Sequence, residues 1–242
     1  MVSDVYPALN TEETPQIKAV LDALDLPYDP KCNDSNLRQL HCFVKPDYAY
    51  WRLGFRDIAR DTDERTLIFS LLPKQCGVGN TLNISIPKKY LLKKSTVEVQ
   101  PVSSQRLLFA MAMFNSLVID YVSRFMIQIH ANKTYLMRLP IPQPDETEID
   151  ANPDYARLTL NALKLTLAND FTRFAELALE YSISEADAHM TPKQYDALLL
   201  ENDRIVARLY GISSGELAHI ATSFKVLKNK KPHYLAELLR SV

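Results

Sequence analysis

The side chains in this sequence best suited to chemistry are cations. Arg52, Arg56, Arg60 and Arg65 recur along the stretch Tyr50 to Pro87, and the run Lys88-Lys89-Tyr90-Leu91-Leu92-Lys93-Lys94 follows directly. A guanidinium is a planar fork that holds a phosphate or a guanine edge through two parallel hydrogen bonds. An ammonium neutralises phosphate as a point charge. The chemistry on offer is therefore recognition of an anion. Two readings stand for the arginines: they meet an anionic ligand, or they hold neighbouring carboxylates. Arg65 suits the second, holding the Asp61–Glu64 turn through Asp57 or Asp61. The lysine run also has two readings, salt-sensitive phosphate contact or an exposed segment with its apolar side tucked in.

Bond-making chemistry has no comparable signal. His41, His130, His189, His219 and His233 are scattered without metal-ligand spacing. His41 and Cys42 are adjacent, so on a strand their side chains point to opposite faces. There is no Gly-x-Ser-x-Gly elbow and no Walker loop. Gly77-Val78-Gly79 reads as a turn, not a phosphate cradle. Pro46-Asp47 and Pro153-Asp154 resemble the start of a nuclease metal site, yet no Asp/Glu-x-Lys follows either.

The formal net charge is −1, but its distribution is uneven. Residues 41–140 hold fourteen basic and seven acidic side chains, while residues 1–40 and 141–242 are each net −4. A basic block between acidic flanks is a footprint of nucleic-acid contact, or a solvated face. The 242 residues suffice for one large domain or two small ones with a real core. Cys32, Cys42 and Cys76 are too few and too unevenly spaced for a disulfide framework or a zinc site. No apolar run approaches the ~18 residues of a membrane span. The start Met1-Val2-Ser3-Asp4 lacks the pattern of a signal peptide, and a reducing cytoplasm is the compartment expected.

The elements that must position the cations read as follows. Trp51, Leu53 and Phe55 alternate with Arg52, Gly54 and Arg56, which predicts a half-buried strand with Arg52 and Arg56 toward solvent or ligand. Thr66 to Leu72 predicts a strand buried on both faces and ended by Pro73. Gly77 and Gly79 allow a reversal before Leu82, Ile84 and Ile86 alternate again. Upstream, Thr14-Pro15 opens a helix carrying Ile17, Val20, Leu21 and Leu24, and Leu40 to Phe43 forms a short strand. Ser103-Ser104 opens a long buried helix running to about Ile127, followed by a strand at Ile127–His130. Residues 143–154 are acidic and proline-bearing and read as a linker. Helices follow at Tyr155–Leu167, at Asp170–Tyr181 and from Thr191-Pro192 to Tyr210-Gly211. Another is capped by Ser213 or Ser214, and the last lies at Tyr234–Leu239. The fold class expected is α+β, a mixed or antiparallel sheet packed around a long buried helix and followed by a helical C-terminal part. The expected units are an N-terminal helix and loop (1–40), a β-rich core with the helix at 104–127 (41–142), the linker, and the helical part (155–242).

Three stretches taken together resemble a known family. Arg52-Leu53-Gly54-Phe55-Arg56-Asp57-Ile58-Ala59-Arg60-Asp61-Thr62-Asp63-Glu64-Arg65-Thr66-Leu67-Ile68, closing at Leu72-Pro73, is similar to the signature after the catalytic domain of large adenine-specific DNA methyltransferases. These are the single-chain type IIG restriction–modification enzymes and the methyltransferases of BREX-type phage defence in bacteria. Phe114-Asn115-Ser116-Leu117-Val118-Ile119-Asp120-Tyr121, with Asn132-Lys133-Thr134-Tyr135-Leu136-Met137-Arg138-Leu139-Pro140-Ile141-Pro142, resembles the next block. Arg204-Ile205-Val206-Ala207-Arg208-Leu209-Tyr210-Gly211-Ile212-Ser213 and Phe224-Lys225-Val226-Leu227-Lys228 resemble the C-terminal end. The likeness covers roughly residues 45–230, in order, and is to the target-recognition region only. The family's methyl-donor glycine motif and Asn-Pro-Pro-Tyr motif are absent from this sequence, as is a nuclease motif.

The resemblance implies a DNA target-recognition piece without a catalytic site of its own, either an excised domain, a separately encoded specificity piece or a truncated gene product. S-adenosylmethionine is expected only in the catalytic domain, and this chain takes no cofactor. The partners implied are double-stranded DNA and the methyltransferase catalytic domain, with no membrane. The DNA-contacting residues expected are Arg52, Arg56, Arg60, Lys74, Lys88, Lys89, Lys93, Lys94, Lys133 and Arg138. The alternative is a helical protein-interaction module that docks a methyltransferase or another defence protein. A hydrolytic enzyme assembled from scattered residues is a third reading.

Overall fold

A computed structural model describes residues 47–60, 62–93, 96–127 and 129–240. The expected helix from Thr14 and strand at Leu40–Phe43, together with Asp61 and Lys94, lie outside the described residues.

The chain is α+β. β1 (Arg52–Arg56) is the middle strand of an antiparallel sheet, between β2 (Phe69–Leu72) and β3 (Leu82–Ile84). The registers are Gly54 opposite Ser70 and Gly54 opposite Ile84. Trp51, Leu53 and Phe55 all enter the core, as their alternation predicts. The opposite face departs from expectation, because Arg52 is only 3% exposed. The turn after β2 folds over that face, and Leu72 lies so close to Gly54 that an added Cβ would meet its Cδ1 at 2.9 Å.

β2 is also shorter than the run Thr66–Leu72 suggests. Ile68 and Ser70 are exposed, so β2 is an edge strand with one buried face, not a strand covered on both. The turn beyond Pro73 uses Gln75 in the left-handed region, at φ 58°, whereas neither Gly77 nor Gly79 takes positive φ. A second, two-stranded sheet pairs β4 (Lys88–Lys93) with β5 (Thr96–Pro101).

The long helix expected over 104–127 is two helices. α1 (Ser104–Phe114) and α2 (Leu117–Arg124) meet at a 62° bend. Asn115 and Ser116 cause the break. Both residue types compete with helix by bonding nearby main chain. Ser116 caps α2 by accepting the Ile119 N–H at 3.3 Å, and Asn115 turns its carboxamide to β2. The strand expected at Ile127–His130 is a single antiparallel bridge, Ile58 to His130.

α3 (Lys133–Leu136) starts on an Asn132 cap. The stretch read as a linker carries α4 (Glu146–Ala151), closed by an Asp145/Glu148 capping box and anchored by Ile149, which is fully buried. Asn152 then caps α5 (Pro153–Asn169). A 3-10 turn at Thr172–Phe174 leads to α6 (Ala175–Glu180) and the short α7 (Glu185–Ala188). α8 (Pro192–Leu209) begins on the predicted Thr191-Pro192 pair, with Gln194 completing a capping box, and ends before Gly211 at φ 63°. α9 (Ser214–Ser223), capped by Ser213, α10 (Lys225–Lys230) and α11 (Pro232–Leu239) complete the chain.

One continuous core joins the sheet to the helices. α1 lies at its centre, with Leu108, Phe109 and Met113 at most 1% exposed. Phe55, Phe69 and Phe114 form a stacked column with ring centroids 4.9 and 4.2 Å apart, and Trp51 stacks on Phe174 at 5.6 Å. Among the described residues no single helix is long and apolar enough to cross a membrane.

Candidate nucleic-acid interface

The structure sorts the expected DNA-contacting cations into two groups, those committed to the fold and those exposed.

The first group is committed to the fold. Arg52 donates through Nη2 to the Cys76 carbonyl at 2.5 Å, and burial pulls its pKa below the usual arginine value against the opposing pull of nearby Asp47. Lys88 is buried, with its ammonium on the Asp47 carboxylate and its Nζ 6.0 Å from the Tyr50 ring centre. Lys74 pairs with Glu176 and stands 4.9 Å over the Trp51 ring. These three tie Asp47–Trp51, the turn at 74–76 and α6 together. As they stand, the buried Arg52 and Lys88 cannot present their charges to a phosphate, which corrects their place in the expected interface. Arg56 bonds Asp63 at 3.0 Å and the Arg65 carbonyl at 2.7 Å, so Arg56 does the turn-holding expected of Arg65.

Arg65 turns inward instead. Its Nε meets Asp120 Oδ2 at 2.8 Å and its Nη2 donates to the Asn115 carbonyl. Asp120 is fully buried and also accepts the Thr66 N–H at 3.0 and 3.1 Å. Burial lowers the Arg65 pKa, but Asp120, Asp203 and Tyr234 outweigh it and hold the guanidinium above its usual value. Asp203 accepts the Leu117 N–H and the Tyr234 hydroxyl, both at 2.7 Å, and burial pushes its pKa up against the pull of Arg65. The guanidinium of Arg124 lies 3.9 Å from the Phe224 ring centre. This buried network joins the loop before β2 to α2, α8 and α11. It is scaffolding.

The second group lies at the other end of β1. There the residues after β1 are laced to the residues after α2. Ala59 N–H donates to the Ile129 carbonyl at 2.8 Å, and Ala131 N–H donates to the Asp57 carbonyl at 2.7 Å. Asp57 Oδ2 lies 3.0 Å from His130 Nδ1, and Asn83 Nδ2 reaches both Asp57 Oδ1 and the Ala131 carbonyl at 3.2 Å. This lacing sets Arg60 beside the segment that carries Lys133 and Arg138, and all three are exposed. Lys133 opens α3, and Met137 N–H closes the same turn on the Lys133 carbonyl at 2.9 Å, so Arg138 follows one turn later. Because the Ile58–His130 bridge is antiparallel, Arg60 and Lys133 leave the lacing in opposite directions.

Lys89 is exposed on β4. Lys93 falls within β4, and its side chain is not among those described. Sequence reasoning missed the Asp57–His130–Asn83 knot. His130 stood alone in sequence, and its partner Asp57 lies 73 positions away.

A separate groove of about 560 Å³ runs between the free edge of β2 and α1, α5 and α8. Ser70, Asn169, Tyr195 and Asn202 line it, and Arg60, Lys133 and Arg138 do not. Among the described residues no cluster of His, Cys, Asp and Glu could hold a metal ion. Comparison with protein-family models, with curated proteins and with solved structures returns no match.

Proposed function

We propose that this chain is a DNA target-recognition piece that serves an adenine-specific DNA methyltransferase of a restriction–modification or phage-defence system. The observation that carries the reading is the exposure of Arg60, Lys133 and Arg138, on the two segments joined by the lacing of residues 57–59 to 129–131. Exposed cations suit phosphates of a duplex, and phosphate contacts set the register from which bases are read. The chain supplies recognition, and methyl transfer with its S-adenosylmethionine belongs to a separate catalytic domain.

The test is a fluorescence-polarisation titration of the full chain on duplex DNA at ~50 and ~200 mM salt. Three phosphate contacts give a logarithmic salt slope near −2.7, which is about a 40-fold loss between those conditions. Absence of DNA binding at ~50 mM salt overturns the reading.

A second reading, docking of a methyltransferase or defence partner, is favoured by an apolar groove of about 380 Å³ between α2 and α9, lined by Val118, Val122, Ile212 and Ile220. Its signature is salt-insensitive binding of the catalytic domain with no retention of DNA.

A further inference from the structure

Charge in the helical C-terminal part is unevenly placed. Residues 217–236 hold four lysines and no carboxylate, whereas the rest of 141–242 holds seven basic and all fifteen acidic side chains. The four are Lys225, Lys228, Lys230 and Lys231, and they fall on α10 and at its C-terminal end. A basic island in acidic surroundings is suited to meet an anion.

Two of the four are committed to the fold. Lys230 Nζ pairs with Glu64 Oε2, and Lys231 Nζ pairs with Asp196 Oδ1, each at 2.9 Å. These pairs tie the end of α10 to the turn that follows Arg60 and to α8. Those two carboxylates therefore already hold a cation each. On the inner side of the helix, Phe224 and Leu227 are buried in the core. Their carbonyls accept the Lys228 N–H at 2.8 Å and the Lys231 N–H at 2.7 Å, so the backbone is fixed along its length.

Lys225 and Lys228 differ from the other pair. Both are exposed, and among the described residues neither side chain makes an ion pair or a hydrogen bond. Three residues apart on a helix, they stand on one face with roughly 5–6 Å between their Cβ atoms. Asn229, four residues from Lys225 and also exposed, widens the same face.

The chemistry of that face selects the partner. It offers two ammonium groups and a carboxamide, while Phe224 and Leu227 turn inward. It has no guanidinium fork to read a guanine edge. Ammonium groups on long stems match the phosphates of a duplex, which carries one negative charge per ~3.4 Å of axis on each strand.

We propose that Lys225 and Lys228 on α10 each hold a backbone phosphate of the DNA, so that the helical C-terminal part helps to position the duplex through contacts that do not depend on sequence. The proposal rests on the DNA-recognition reading. It extends that reading from the basic middle block to a part of the chain whose total charge is negative.

The experiment titrates the full chain by fluorescence polarisation on two duplexes of unrelated sequence between ~50 and ~200 mM salt. The variant K225Q/K228Q removes both charges and keeps most of each stem. Both side chains are exposed, so it should keep the wild-type unfolding midpoint, which is measured alongside. K193Q, which removes an exposed lysine from the first turn of α8, controls for net charge. Two further phosphate contacts steepen the expected wild-type slope from about −2.7 to about −4.5, a loss of about 500-fold across that range. K225Q/K228Q should lower the slope by about 1.8, equally on both duplexes, and K193Q should leave it unchanged.

A wild-type slope in K225Q/K228Q, a loss confined to one duplex, or an equal fall per charge in K193Q overturns the phosphate role of α10 and leaves DNA recognition standing. No salt-dependent binding by wild type overturns both. If K225Q/K228Q binds DNA as wild type does but no longer binds a methyltransferase catalytic domain, α10 is a protein-docking face and its phosphate role is overturned.

Discussion

The carboxamide of Asn115 closes on the main chain of Phe69, donating to its carbonyl and accepting from its N–H, each at 2.9 Å. The amide occupies the place a neighbouring strand would take at this point of the β2 edge, and it does so only because α1 stops one residue earlier. One side chain thus ends a helix, covers part of a sheet edge and sits at the 62° bend between α1 and α2. Asn115→Ala should cost about 1–3 kcal/mol of stability by leaving both Phe69 groups without a partner. Urea unfolding followed by far-UV circular dichroism measures it. Asn115→Asp should cost at least as much, because it sets a second acceptor against the Phe69 carbonyl.

Asp203 gives a stability signature in pH. Burial raises its folded pKa above the unfolded value, so its contribution is most favourable below the unfolded carboxylate range and declines as pH rises through the folded value. Asp203→Asn keeps an acceptor for the Leu117 N–H and lets the Tyr234 hydroxyl accept instead of donate. It should flatten that decline. Asp203→Ala should cost about 2–4 kcal/mol at every pH, since both partners lose their acceptor. Thermal midpoints from pH 3 to 8 for the three proteins separate these outcomes.

The two groups of cations should respond to substitution in opposite ways. Arg60→Ala with Arg138→Ala should leave the unfolding midpoint within about 0.5 kcal/mol of wild type and reduce the salt slope of DNA binding by about two. Lys88→Ala should cost about 2–3 kcal/mol of stability, somewhat under the ~3–5 of a fully buried pair because Asp47 keeps some solvent. The folded fraction of that variant should keep the wild-type salt slope. Unfolding curves and polarisation titrations on the same preparations make the comparison.

Gly211 follows α8 with φ at 63°, a conformation in which a Cβ crowds the following carbonyl. Nothing lies within 4 Å of where that Cβ would stand. Gly211→Ala should therefore cost about 1 kcal/mol through backbone strain alone, with no loss from steric contact, and Gly211→Asn should cost less. Chemical denaturation reads both.

The sequence by itself determined the elements whose causes are local. Thr191-Pro192 and Ser213 start helices, Gly211 ends one, and the alternation of Trp51, Leu53 and Phe55 makes β1, because caps and periodicity act within a few residues. It also determined that the middle of the chain is basic. Tertiary structure alone decided which of those basic residues are available. Arg52 and Arg56 look alike in an alternating strand, yet a turn some twenty residues on covers the first and Asp63 holds the second. Arg65 looks like a turn-holder, yet its partner Asp120 arrives from α2. Arg60 and Lys133 look unrelated, yet their segments meet because Ala59 bonds Ile129 and Ala131 bonds Asp57. A charge is buried or exposed according to what the chain brings to it from far along the sequence, and local pattern carries no record of that meeting.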